Sequence, residues 1–461
     1  MSDGKLNLDQ FHHIDAHGRI TGVYDNAIFE YIKSEHDIFV LGGVPYIYED
    51  GCYYADVSGA KLKTLIRACI YPEWIKSTTI KRVYELFLSA YELQASYEDL
   101  NNFPSSWINF KNGFYDAETR KMFPHVATAV CKAVNQIPHE YNPDAHHSGQ
   151  AIEDWLSFIV PDKDDREMLL EFAGYCMTKD TRQQKFLILC GNGGTGKSTV
   201  IRLIESVVGA GNISTISLAE LSQRFAVYGL LGKLVNSCAD LEVTALEDVS
   251  TLKKALGEDT LRGEAKGRDA IPFKSYAKLI FSTNELPLVK SERTNGFYRR
   301  LLVLPMNRVP DVARHDLFER LNDEIDYFIG LCVEALTRMY ERGSILESAA
   351  SVEAVRQMRH DSDTVEAFLQ ECVSVKPGER AERGELHNRY VLYCAGEDRQ
   401  ALSRNAFYKA LRAKGFGEVQ RRSENKVVRQ FEGISLEKTA TKSATTDRFT
   451  EVNEVLPFMR G

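Results

Sequence analysis

The stretch LCGNGGTGKSTVIRLI, from Leu189 to Ile204, limits what this chain can fold into more than any other part of it. From Gly191 through Gly196 to Lys197 and Ser198 it fits G-x-x-x-x-G-K-[ST], with Asn192, Gly193, Gly194 and Thr195 filling the turn and Thr199 following it. Glycines let such a backbone curl until successive N–H groups face one anion, while Lys197 brings charge to the β- and γ-phosphates and Ser198 a hydroxyl for Mg2+. The apolar lead-in KFLILC (Lys185 to Cys190) reads as a buried strand. STVIRLIESVVG reads as a helix whose N-terminal end adds its partial positive charge at the same spot. Strand, turn and helix in that order predict an α/β core that binds a nucleoside triphosphate.

The totals set bounds on the rest. A length of 461 residues suggests about three domains, and 44% hydrophobic content is enough to bury real cores. No apolar run approaches the roughly 18 residues of a membrane span, and no charged and then apolar leader opens the sequence, so a cytoplasmic protein without a membrane partner is expected. The nine cysteines are scattered with no C-x-x-C, which reads as reduced core residues and not a zinc site. His12, His13 and His17 lie close in sequence but read as solvated. The net charge of -8 would repel nucleic acid from the molecule as a whole. Ala401 to Gln430 runs the other way, with Arg404, Lys409, Arg412, Lys414, Arg421, Arg422, Lys426 and Arg429 against Glu418 and Glu424. That basic island is the footprint of a phosphate-contacting face.

Along the chain, residues 1–105 mix strand-like and helical pieces into an α+β region whose role the sequence leaves open. Residues 106–180 begin with WINFKNGFYDAETRKMFPH, a hairpin signal around Asn-Gly, and continue through AIEDWLSFIV and DREMLLEFAGYCM, two helices expected as a collar before the nucleotide core. The core spans 181–308. In it LLGKLVNSCADLE forms a second buried strand ending in Asp240 and Glu242, where acidic side chains would serve Mg2+ and an attacking water. AKLIFSTNELP ends in Asn284, an amide placed to sense a γ-phosphate, and FYRRLLVLPM carries Arg299 and Arg300 ahead of its apolar run. Residues 309–362 read as a helical connector. Residues 363–436 read as three helices and a β-hairpin with a basic third helix, the order of a winged helix. The tail 437–461 is polar and low in apolar content.

From Ser106 to Leu436 the chain resembles the superfamily 3 helicases of phage and plasmid primase-helicases, related to the poxvirus primase-helicase. The marks are NFKNGFYDAETRKMFPH, EFAGYCMTKDTRQQKFLILCGNGGTGKST, the strand ending ADLE, LKKALGEDTLRGEAKGRDAIPFKSYAKLIFSTNELP and GFYRRLLVLP. The resemblance implies an AAA+-like ATPase core that hydrolyses ATP with Mg2+ as a hexameric ring on single-stranded DNA. Lys197 and Ser198 would hold phosphates and metal, and Asp240 and Glu242 would take the metal and base roles in an order left open. Asn284 would orient the water. Arg300, or failing it Arg299, would be an arginine finger acting on a neighbour. The segment from Lys253 to Lys274 would be a pore hairpin with Lys253, Lys266 and Arg268 as phosphate contacts, and Arg404, Lys409, Arg412, Arg421 and Arg422 would hold duplex DNA at a fork or origin. No apolar-flanked Asp-x-Asp with a distant His precedes this region, so priming would fall to a separate primase or other replication proteins. A second reading stays open: an ATP-switched origin-binding initiator that never unwinds strands.

Overall fold

The computed structural model describes the chain apart from residues 1–5, 126–130, 146–147, 224, 240–248, 258, 265–269, 288, 290–294, 312–314, 398–400, 424–425 and 437–461. Two compact units divide it, Met1–Met358 and Arg359–Gly461.

The first unit is built on a five-stranded parallel sheet in the order Ile213–Ser214, Val235–Cys238, Lys278–Thr283, Phe186–Cys190, Leu301–Pro305. Parallel strands carry helices on both faces, so they read as unbroken apolar runs and not as alternation. The strand before the phosphate loop shows why. Leu187 and Leu189 face one core with Val200 and Ile204 of the following helix, and Phe186 and Ile188 face another with Phe281 and Phe297. Helices Lys163–Cys176 and Ile325–Arg342 contribute Phe172 and Phe328 to the first of these cores. The two-residue edge strand Ile213–Ser214 is an addition to the strands expected from sequence.

Ahead of the sheet, helices Asp25–Glu35, Ala60–Ala68 and Ser77–Ser89 share a core with the antiparallel meander Ile38–Leu41, Val44–Glu49 and Cys52–Ala55. The Asn-Gly hairpin appears as Trp107–Phe110 paired with Gly113–Asp116, extended by a third strand, Lys121–Phe123. Helix Gln150–Ile159 follows. Lys253 lies on a short helix, Ser250–Leu256, and the hairpin proper has arms Thr260–Gly263 and Ile271–Lys274, so the expected Lys253–Lys274 hairpin is a helix followed by a hairpin. Among the described residues no helix is long and apolar enough to cross a membrane.

The second unit holds helices Thr364–Cys372, Arg383–Gly396 and Arg404–Ala413. Its sheet is antiparallel and three-stranded, with Lys426–Leu436 between Val373–Glu382 and Glu418–Ser423. Val373–Glu382 is a strand beyond the three helices and β-hairpin read from the sequence. Its polar middle, VKPGER, conceals a strand whose ends, Val373 and Ala381, are buried.

Candidate nucleotide-binding site

All five parallel strands point the same way, so their C-terminal ends meet at one edge, and the phosphate loop rises from it. Close approach dictates Gly191: a side-chain carbon there would stand 1.9 Å from the Met306 carbonyl oxygen. Gly194 and Gly196 adopt φ of +81° and +91°, the left-handed region that other residues avoid. Gly196 caps the helix Lys197–Val208, leaving the first N–H groups of that helix open to the loop. Thr195 is buried and its hydroxyl donates to the Asn192 carbonyl at 3.0 Å, which braces the turn from inside.

The Lys197 ammonium donates to the carbonyls of Gly191 and Asn192, the latter at 2.9 Å, and to Asn284 Oδ1 at 3.2 Å. These acceptors hold a cation where an anion's charge would be received. Asn284 follows the neighbouring strand, whose Thr283 pairs with Cys190, so sheet register alone brings the amide to the loop. Burial pushes the Cys190 thiol up from its ordinary value against the pull of Lys197. Together these elements wall a cleft of about 720 Å³, lined by Gly193 to Thr199, Ala239, Ser282 and Asn284 among others. Such a volume is ample for a nucleotide.

Asp240 and Glu242 lie outside the described residues. Their strand, Val235–Cys238, ends at the same edge, and Ala239 both lines the cleft and accepts a hydrogen bond from Ser282 Oγ. Arg299 and Arg300 stand elsewhere. They precede Leu301, which pairs with Phe186, so they sit at the opposite edge of the sheet, about 16 Å from the loop at strand rise. There both guanidiniums donate to Gln184 Oε1, and Arg300 also donates to the Gly296 carbonyl at 2.6 Å. The cleft of the same chain is beyond their reach.

The expected DNA contacts Lys266 and Arg268 lie outside the described residues, and no side chain is described for Arg422. Around the hairpin, Leu261, Gly263 and Phe273 are buried while Arg262 and Lys274 are exposed. In the second unit Arg404, Lys409, Arg412 and Arg421 are exposed. Arg412 lies 3.5 Å from Glu418, and Lys414 is engaged by Asp363 and Glu366, so the basic island presents fewer open charges than its composition suggests. Sequence reasoning missed Trp155, Phe158 and Arg320, which also line the cleft. They come from helices distant in sequence, and only tertiary packing reveals them.

A family described as being of unknown function (DUF5906) matches residues 189–300, the loop through the arginine pair. The chain is similar to viral proteins named as helicases. It is 29% identical over 217 residues to "Putative helicase L207/L206" of Acanthamoeba polyphaga mimivirus, covering 45% of this chain and 22% of that protein. To "Putative helicase 121R" of Invertebrate iridescent virus 3 it is 23% identical over 243 residues, covering 50% and 26%. The match thus spans about a quarter of each relative. Among solved structures, the apo NrS-1 C terminal region superposes with a TM-score of 0.52 over 88% of this chain and 98% of that one. At 12% identity this likeness concerns the fold alone.

Proposed function

We propose that this chain is an ATP-driven DNA helicase of the superfamily 3 kind, working as a hexameric ring in the replication of a virus or other mobile element. One observation carries the reading: the bond between Lys197 and Asn284 at the C-terminal edge of a parallel sheet whose opposite edge carries Arg299 and Arg300. A phosphate grip with an amide beside it suits a triphosphate and an attacking water. Arginines too far away to serve their own site suit a neighbour's. The similarity to two viral proteins named as putative helicases supports the same reading.

In this scheme the loop amides and Lys197 hold the β- and γ-phosphates. The Ser198 hydroxyl, which lines the cleft, would serve as a Mg2+ ligand, with Asp240 as the acidic partner; bound Mg2+ would neutralise charge on the phosphate oxygens. Asn284 orients water, Glu242 or Asp240 accepts its proton, and Arg300, or Arg299 in its place, stabilises the transferring phosphoryl group from the next subunit. Lys253, Lys266 and Arg268 track the strand backbone. The second unit acts as a winged helix, placing Arg404, Lys409, Arg412, Arg421 and Arg422 on duplex DNA.

The test is displacement of a labelled strand from forked duplexes with 3′ or 5′ tails. The wild type should unwind one polarity with ATP and neither with a non-hydrolysable analogue. Lys197→Ala should stay folded and unwind nothing, because it removes a phosphate ligand from a loop shaped by glycines. ATP-dependent origin binding without any displacement would favour the initiator and remove the helicase.

A further inference from the structure

Helix Gln150–Ile159 turns one face to the cleft, and Trp155 stands on it beside Phe158. Trp155 is only 7% exposed, and its ring belongs to the core that also holds Ile159 and Met306. Its indole nitrogen lies 4.0 Å from the point a side-chain carbon would occupy on Gly196, the residue just before Lys197. Gly196 has no such carbon, so the N–H opens onto the phosphate loop. Among the described residues that N–H has no hydrogen-bond partner. The nitrogen itself is not sealed from solvent, so the donor faces the open cleft, where a ligand oxygen can reach it. Packing accounts for the ring, and its polar edge is left to the cleft.

The surroundings say what would complete it. Around the loop the acceptors, the Gly191 and Asn192 carbonyls and Asn284 Oδ1, are taken up by Lys197, and the groups left facing the cleft include donors: the amides opening the helix Lys197–Val208 and the Ser198 hydroxyl. On the same helix as Trp155, the Asp154 carboxylate is already engaged by Gln150 Nε2 at 2.7 Å. An indole N–H has no acceptor capacity, so it adds one more donor to a site built for an anion. We propose that Trp155 is a nucleotide ligand whose indole N–H donates to an oxygen of the phosphate chain beside Gly196. This rests on the nucleotide site proposed above and adds a residue outside the phosphate-loop motif to it.

The experiment measures Mg·ATP and inorganic tripolyphosphate binding by calorimetry for the wild type, Trp155→Phe and Lys197→Ala. Phenylalanine keeps an aromatic ring in the core and deletes the donor. Loss of one hydrogen bond to a charged oxygen should weaken both ligands by roughly tenfold or more, measured well below the unfolding midpoint of the ligand-free variant. Equal losses for both ligands separate a phosphate contact from stacking on a base, which tripolyphosphate lacks. Wild-type affinity of Trp155→Phe for tripolyphosphate, with Lys197→Ala binding nothing, overturns the Trp155 contact and leaves the site intact. Undiminished binding by Lys197→Ala overturns the site and this contact with it. Should Trp155→Phe fail to fold, Trp74→Phe with Trp107→Phe leaves Trp155 as the single indole emitter. Its fluorescence must change on saturation with tripolyphosphate, and unchanged emission overturns the proposal.

Discussion

Lys278 sits at the start of a central strand, 2% exposed, with its ammonium donating to the Thr178 and Tyr276 carbonyls and lying 4.6 Å from the centre of the Tyr175 ring. Burial dominates its titration and pulls the pKa down to about 8, with Cys176 and Asp180 opposing. Unfolded, the same amine holds its proton to about 10.5, so between those values unfolding takes up a proton and rising pH stabilises the native state. Buried thiols such as Cys52 and Cys176, pushed up to about 12, act the other way above pH 9, because the unfolded chain loses protons the native state keeps. A difference measurement isolates the lysine. Lys278→Met removes a donor from two carbonyls, a cost that does not vary with pH. Denaturant unfolding of wild type and variant should therefore show the wild type gaining about 2 kcal/mol on Lys278→Met between pH 8 and pH 10. Parallel pH profiles would mean that Lys278 titrates normally.

At the scale of elements, what the sequence revealed was whatever is written locally. The phosphate loop is legible because glycines, lysine and serine must stand at fixed spacing. Phe186–Cys190, Lys278–Thr283 and Leu301–Pro305 are legible because a strand covered on both faces is a solid apolar run. Ile213–Ser214 is too short to carry a pattern, and Val373–Glu382 hides behind a polar centre. Trp155 and Arg320 reach the cleft through helix packing that no local pattern encodes. The Thr260–Lys274 hairpin lies between these cases: its arms alternate, with Leu261 and Phe273 inward and Arg262 and Lys274 outward. Lys266 and Arg268 fall between the arms in sequence. Under the helicase reading, Lys266→Ala with Arg268→Ala should leave basal ATP turnover within about twofold, yet abolish both its stimulation by single-stranded DNA and strand displacement, because phosphate contacts carry the coupling. Full unwinding by the double variant would remove this hairpin from the mechanism.

For the whole molecule, the decisive geometry is that one sheet carries the glycine-rich loop with Lys197 at one end of its strands and two arginines at the other. A monomer cannot bring the two together without dismantling the strands between them, whose residues Leu187, Ile188, Leu302 and Val303 are fully buried. Two copies can, if the arginine edge of one meets the cleft of the next; the helicase reading requires that such a heterologous contact repeat through a rotation that closes into a ring. Arg300→Ala should bind ATP with wild-type affinity and lose turnover by a hundredfold or more, in line with the weight an arginine finger carries. Lys197→Ala should fail to bind. Each is inactive for a different reason, so mixing them should restore hydrolysis wherever an intact loop of an Arg300→Ala subunit faces an intact arginine of a Lys197→Ala subunit. Turnover measured across mixing ratios should therefore rise from near zero at both ends to a maximum between them. A flat profile, with mixed assemblies demonstrated by crosslinking of differently tagged subunits, would place the arginine in a structural role and take the shared site away.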